Sequence, residues 1–247
     1  MKPALLLLLA ICLPAGAGQH VVVIDPGHGG RSDSGSQAAR TLSASNDATS
    51  PGRLREKDLT LELSLEIKNQ VEALAAAHPG TKIDCILTRA GDSNPDFGTR
   101  AKACAASKTP PTAMVSIHFN ASDKHACLGT VAVVQDRHLN GNFQQDQAFA
   151  TGLIKATNAA VRKFLPESSA RSPISDSHLH GGAGSNFFHQ LGLLPALKTV
   201  PKCFLEVEFI DRRDVDQKLL QNRKSAFPVI ARAIAGRLYE HCASLTN

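Results

Sequence analysis

Tryptophan is absent, tyrosine occurs once, and aromatic residues make up only 4% of the 247 residues. So few flat rings argue against a surface that stacks nucleic-acid bases, although the formal net charge is +5. The longest apolar run, Ala4 to Leu13, is too short to cross a bilayer, which needs about 20 residues. No two cysteines are spaced as CxxC, which speaks against a zinc knuckle or a thioredoxin-like redox site. No internal repeat and no low-complexity linker is present, so solenoid and multi-domain arrangements lose their usual markers.

What is present begins with a leader. Lys2, the apolar run, Pro14 and the small residues Ala15-Gly16-Ala17 have the proportions of a signal peptide over residues 1–17, with cleavage after Ala17. A lipid anchor on Cys12 is disfavoured because bulky Ile11 precedes it. The mature chain, residues 18–247, then has no membrane anchor and is expected outside the cytoplasm, periplasmic or extracellular. It keeps five cysteines, Cys85, Cys104, Cys127, Cys203 and Cys242, which allow at most two disulfides with one thiol left over. At 43% hydrophobic it is long enough to close one core, and a pI near 9.0 favours an anionic partner over a neutral one.

Periodicity alternates between strand and helix. Val21–Ile24 is a β-branched run ending at the turn residues Asp25-Pro26-Gly27. Residues 31–55 lack hydrophobic periodicity and read as a surface loop. From Glu56 to Ala77, Leu59, Leu63, Ile67, Val71 and Leu74 mark one face of a helix. Further strands are expected over 83–88, 114–117, 128–134 and 204–210, and helices over 99–107 and 144–164. A terminal helix over 215–242 is expected to break at Pro228. The alternation predicts an α/β fold, a single domain with a mostly parallel central sheet flanked by helices.

Three segments carry chemistry: DPGHGG with His28, REKD with Glu56, and SIHFNAS with His118. Two imidazoles and a carboxylate, each at the edge of an apolar run, would hold one Zn²⁺ and leave a fourth position open. A first-turn carboxylate also suits a helix dipole, so Glu56 alone would say little; the two imidazole segments around it shift the balance. A fourth segment, CFLEVEF, supplies Glu206 and Glu208 as candidate proton acceptors. Alternation puts both on one strand face, where joint ionisation is resisted; alternatively a bulge turns Glu208 away to pair with Arg212 or Arg213. His178 and His180 share a strand face but lack a nearby third ligand, and a loop lining a cleft is the preferred reading.

The order DPGHGG, EKD opening a helix, LTR, a downstream Arg, SIHFNAS and an acidic strand ending in FI resembles the zinc-dependent N-acetylmuramoyl-L-alanine amidases over about residues 20–240. The resemblance implies a catalytic zinc amidase domain over 18–247. Its expected reaction is hydrolysis of the amide between N-acetylmuramic acid and L-alanine in bacterial peptidoglycan. It implies His28, Glu56 and His118 as zinc ligands and Glu206 as the catalytic glutamate, with Arg89 on the LTR motif and its role open. The expected partner is peptidoglycan, with an activator or inhibitor protein possible, no nucleic acid, and a monomeric enzyme. Glu208 departs from the family pattern, which usually has Gly there. Some regulated members plug the metal with a helix; here the helix over 144–164 reads as structural, the nearest glutamate, Glu167, lying beyond Pro166. A zinc peptidoglycan peptidase or carboxypeptidase, and a non-catalytic wall-binding relative, are the competing readings.

Overall fold

A computed structural model describes residues 18–30, 48–178, 182 and 184–246. The expected leader, the segment 31–47 and His180 lie outside the described residues. Six strands form one sheet in the order β2-β1-β3-β6-β4-β5. These are β1 (Gly18–Pro26), β2 (Thr81–Leu87), β3 (Ala113–Asn120), β4 (Val131–Val134), β5 (Ile174–Ser175) and β6 (Lys202–Phe209). The pairs β1–β2, β1–β3 and β3–β6 are parallel, and β4 runs antiparallel to β6.

The sheet is buried on both faces, and the sequence alternation assigns each face. Val22 and Ile24 point into a larger core under α1 (Glu56–Ala77), α3 (Phe143–Val161) and α6 (Arg223–Ala243). Val21 and Val23 point into a smaller one under α2 (Phe97–Ala105) and α4 (Asn186–Gly192). Parallel strands covered on both sides read as continuous apolar runs, which is why Val21–Ile24 and Met114–Ile117 show no polar alternation.

The chain leaves β1 through α1 to β2 on one side and returns through α2 to β3 on the other. The carboxyl ends of β1 and β3 therefore flank the point where strand order reverses, the usual place for a ligand in an open α/β sheet. Among the described residues no helix is long and apolar enough to cross a membrane. All five described cysteines are free thiols.

Two expectations need correction. The terminal helix does not break at Pro228, which sits inside α6. The interruption lies upstream: the turn α5 (Arg213–Val215) passes into a π-helical turn, Asp216–Leu220, and α6 starts only after Asn222. Pro228 lies close to the helix start, so its missing N–H costs one ladder bond and does not divide the helix. The helix over 144–164 ends at Val161, and its one acidic residue, Asp146, is buried against Asn140, Asn142 and the backbone N–H of Lys202, at the amino end of β6. Glu167 pairs at the surface with Lys218 at 2.6 Å. Neither acid forms part of the His28, Glu56 and His118 cluster.

Candidate metal centre

Three elements deliver three donor atoms to one point. His28 lies just beyond β1, Glu56 opens α1, and His118 is in β3, two residues before its end. His28 Nε2 is 3.1 Å from Glu56 Oε1, and His118 Nδ1 is 3.2 Å from each of them. The imidazole rings stand nearly perpendicular, at 82°, so their lone pairs converge instead of stacking.

This donor set fits a metal ion. Tetrahedral Zn²⁺ with bonds of about 2.0–2.1 Å sets its ligand atoms about 3.3 Å apart, and the triangle here has edges of 3.1–3.2 Å. Three protein ligands of the type His, Glu, His leave one position for water or substrate, the composition of a hydrolytic site. Among the described residues this is the one group of three such side chains close enough to hold an ion.

The backbone is bent to produce this convergence. His28 adopts φ 58°, a left-handed conformation uncommon for a residue with a side chain. A Cβ on Gly27 would lie 2.3 Å from the His118 ring, so only glycine leaves that ring its seat. Two buried arginines fix the loop. Arg89 donates to the carbonyls of Pro26, Gly27, Lys57 and Gly91, which settles its role as a clamp between the loop and the start of α1. Burial pulls the Arg89 guanidinium down to about 10. Arg100 donates to Pro26 O and His28 O and is paired with Asp25 at 2.8 Å. Lys57 reaches back to Gly30 O and to Asp92.

Glu56 is not a helix cap. The N-terminus of α1 is closed by its own N–H to Ala48 O, and the carboxylate accepts from the Phe119 N–H at 3.0 Å beside both histidines. Burial pushes its pKa up, but the neighbouring His28 and His118 outweigh this and hold it well below the usual carboxylate range.

Glu206 pairs in register with His118 on the adjacent strand. Paired residues on neighbouring strands sit about 4.8 Å apart with side chains on the same face, which puts this carboxylate alongside the donor triangle. Glu208 does not share its surroundings. The β3–β6 register shifts between His118 and Asn120, which faces Phe209, so β6 carries one extra residue and the simple alternation fails. The Glu208 carboxylate is fully buried, accepting from the N–H groups of Gly129 and Phe209 and from the Ser168 hydroxyl. It does not pair with Arg212, which is taken by Asp214 and Ala126 O. Burial raises the Glu208 pKa despite these donors.

His178 ends a short 3₁₀ turn and is exposed; with His180 outside the described residues, that pair is not described. Arg100, Lys57, Asp25 and Ser116 support the centre without having been singled out from the sequence. Asp25, Ser116 and Lys57 stand inside the quoted motifs, and an Arg downstream of LTR was part of the pattern; that was the available signal.

The family model for N-acetylmuramoyl-L-alanine amidase matches residues 22–236. No curated protein sequence matches the chain. Solved structures share the fold. The catalytic domain of CwlV, an N-acetylmuramoyl-L-alanine amidase from Bacillus (Paenibacillus) polymyxa, is 23% identical with a TM-score of 0.60, over 90% of this chain and 97% of that one. Metal-free Ami1 from Mycobacterium abscessus is 19% identical with a TM-score of 0.64, over 90% and 98%. The CwlD amidase from Clostridioides difficile, solved with the GerS lipoprotein, is 16% identical with a TM-score of 0.59, over 91% and 99%.

Proposed function

The chain belongs to the N-acetylmuramoyl-L-alanine amidase family and is a peptidoglycan hydrolase, and from that premise we propose that His28, Glu56 and His118 hold one Zn²⁺ while Glu206 moves the proton. The observation that carries this reading is the near-equilateral donor triangle with Glu206 in register beside it. A bound Zn²⁺ supplies Lewis-acid polarisation of the scissile carbonyl and makes water acidic enough, at a pKa of about 7, to attack near neutral pH.

The protein's own residues do the rest. His28, Glu56 and His118 contribute one negative charge and two neutral donors, so a divalent ion keeps a net positive charge and its pull on the carbonyl oxygen. Glu206 accepts a proton from the attacking water and delivers it to the amine nitrogen of L-alanine as the carbon–nitrogen bond breaks. Phe204, stacked on Phe188 at 4.1 Å and 5.8 Å from the His118 ring, backs the site with apolar surface that strengthens these electrostatics.

Residues 1–17 direct export, so the mature enzyme meets peptidoglycan in the periplasm or outside the cell as a soluble monomer. The chain's basic surplus suits an anionic wall polymer. The amidase–lipoprotein complex among the similar structures supports a protein regulator as a further partner.

The test is zinc content and hydrolysis of purified peptidoglycan for the mature protein and for Glu206→Ala. One zinc per chain, intact stem peptides beginning at L-alanine, and a variant that keeps zinc but loses at least about a hundredfold in kcat are expected. A wild type releasing only peptide fragments with the muramyl amide intact would overturn the bond assignment.

A further inference from the structure

We propose that Asp25 and Ser116 form a positioning relay that fixes His118 as an Nδ1 donor, and that Asp25, acting through Arg100, also anchors His28. One buried carboxylate then orients both histidines of the centre. The proposal rests on the metal reading above for its functional meaning, but its geometry stands independently.

The relay is laid down by the backbone. Asp25 and Ser116 are register partners on β1 and β3, and Ser116 precedes His118 by two residues on the same strand face. Ser116 Oγ donates to Asp25 Oδ2 at 2.5 Å. Asp25 is ion-paired with Arg100 at 2.8 Å and accepts a further bond from the Thr88 hydroxyl. Such a carboxylate has no proton to return, so the single Ser116 proton is committed to it.

That commitment decides the imidazole. Ser116 Oγ lies 3.1 Å from His118 Nε2 and, its own proton spent, can only accept. Nε2 must therefore carry the hydrogen, since the opposite tautomer would set two lone pairs face to face in a buried site. With Nε2 committed to Ser116, Nδ1 is the nitrogen left to give up its hydrogen, now shared with Glu56, and to offer a lone pair to a metal ion; it lies 3.2 Å from both His28 Nε2 and Glu56 Oε1.

The second arm runs the other way. Arg100 Nη1 binds Asp25 and Pro26 O, and Nη2 donates to His28 O at 2.5 Å, at the residue whose φ is 58°. Asp25, Ser116 and Arg100 are 1%, 0% and 1% exposed, so water cannot stand in for any of them. Partners behind a metal-binding histidine typically change metal affinity by 10–100-fold when removed.

The experiment reads the His118 tautomer by ¹⁵N chemical shifts in the metal-free mature protein, assigned by signal loss in His118→Gln. Zinc affinity and the urea midpoint of the metal-free form are measured alongside for wild type and Ser116→Ala. The expected result is hydrogen on Nε2 in the wild type, whether or not Nδ1 also carries one towards Glu56, partial loss of the Nε2 hydrogen in Ser116→Ala, and zinc affinity lowered 10–100-fold in that variant. An Nε2 without hydrogen in the wild type overturns the relay, and that measurement needs no variant to fold. So does a Ser116→Ala that lowers the urea midpoint but leaves tautomer and affinity unchanged, the signature of a merely structural serine. A wild type with the expected tautomer that binds no zinc supports the relay and removes the metal reading instead.

Discussion

Glu206 and Glu208 differ in surroundings because β6 carries one extra residue opposite His118 and Asn120. Period-two counting places both carboxylates together; the bulge that separates them has no marker such as glycine in CFLEVEF, so the sequence left it only as the second of two alternatives, with an Arg partner the structure does not show. Its consequence is testable. Burial raises the Glu208 pKa, so the folded protein holds that proton more tightly than the unfolded chain does. The resulting stability is fully present below about pH 4.3 and is lost as pH rises through the folded-state value. Glu208→Gln keeps an acceptor for Gly129 and Phe209, turns an amide donor towards the Ser168 oxygen where the carboxylate accepted, and never ionises. Urea unfolding should show the variant equal to wild type near pH 4 and more stable than wild type at pH 7. Lower stability than wild type at pH 7 would mean the three donors outweigh burial. Full hydrolytic activity in the same variant would leave Glu206 as the sole proton acceptor of the strand.

At the scale of elements, the legible parts are those whose apolar spacing is imposed by a large core. α1 spans Glu56–Ala77 as the recurrence of Leu59, Leu63, Ile67 and Val71 predicts, because each of these is buried. β3 runs beyond the expected Ile117 to Asn120, since His118 is itself a strand residue and not a residue past its end. The two-residue β5 and the seven-residue α4 are too short to show a period, and tertiary packing rather than propensity holds them. Arg89, Arg100 and Lys57 were illegible as clamps because long cations ordinarily read as surface; only the buried carbonyls of the bent loop give them partners. Pro228 is the clearest local conflict, an exposed proline within α6. Pro228→Ala restores one ladder bond, offset by greater freedom in the unfolded chain, and should stabilise by about 1–2 kcal/mol, less than the ~3 kcal/mol of a mid-helix proline. A thermal midpoint unchanged or lowered would show that the helix needs the proline where it is.

The whole molecule divides into a framework held by its two cores and a cluster of three donor side chains that could hold a metal ion. Both cores lie on the sheet faces and contain none of His28, Glu56 or His118, whereas the donor triangle joins a loop, a helix start and a strand at one edge. The two clamping arginines and the Asp25–Ser116 pair hold that edge through protein contacts alone. Chelation should therefore leave the far-ultraviolet circular dichroism unchanged at 25 °C, unlike a zinc finger, whose fold is lost with its ion. Stability should nonetheless fall by the linkage term, about 2.7 kcal/mol between metal-free protein and protein at free zinc a hundredfold above Kd. For a domain of this size that corresponds to a thermal midpoint lower by roughly 5–11 °C. Because the ligands bind protons in competition with the ion, the difference should shrink at acid pH. Differential scanning calorimetry with and without chelator at pH 7.5 and pH 5 measures both effects. A midpoint unmoved by zinc at pH 7.5 would remove the metal from the site, and a global loss of secondary structure on chelation would show that the edge is not held by its clamps.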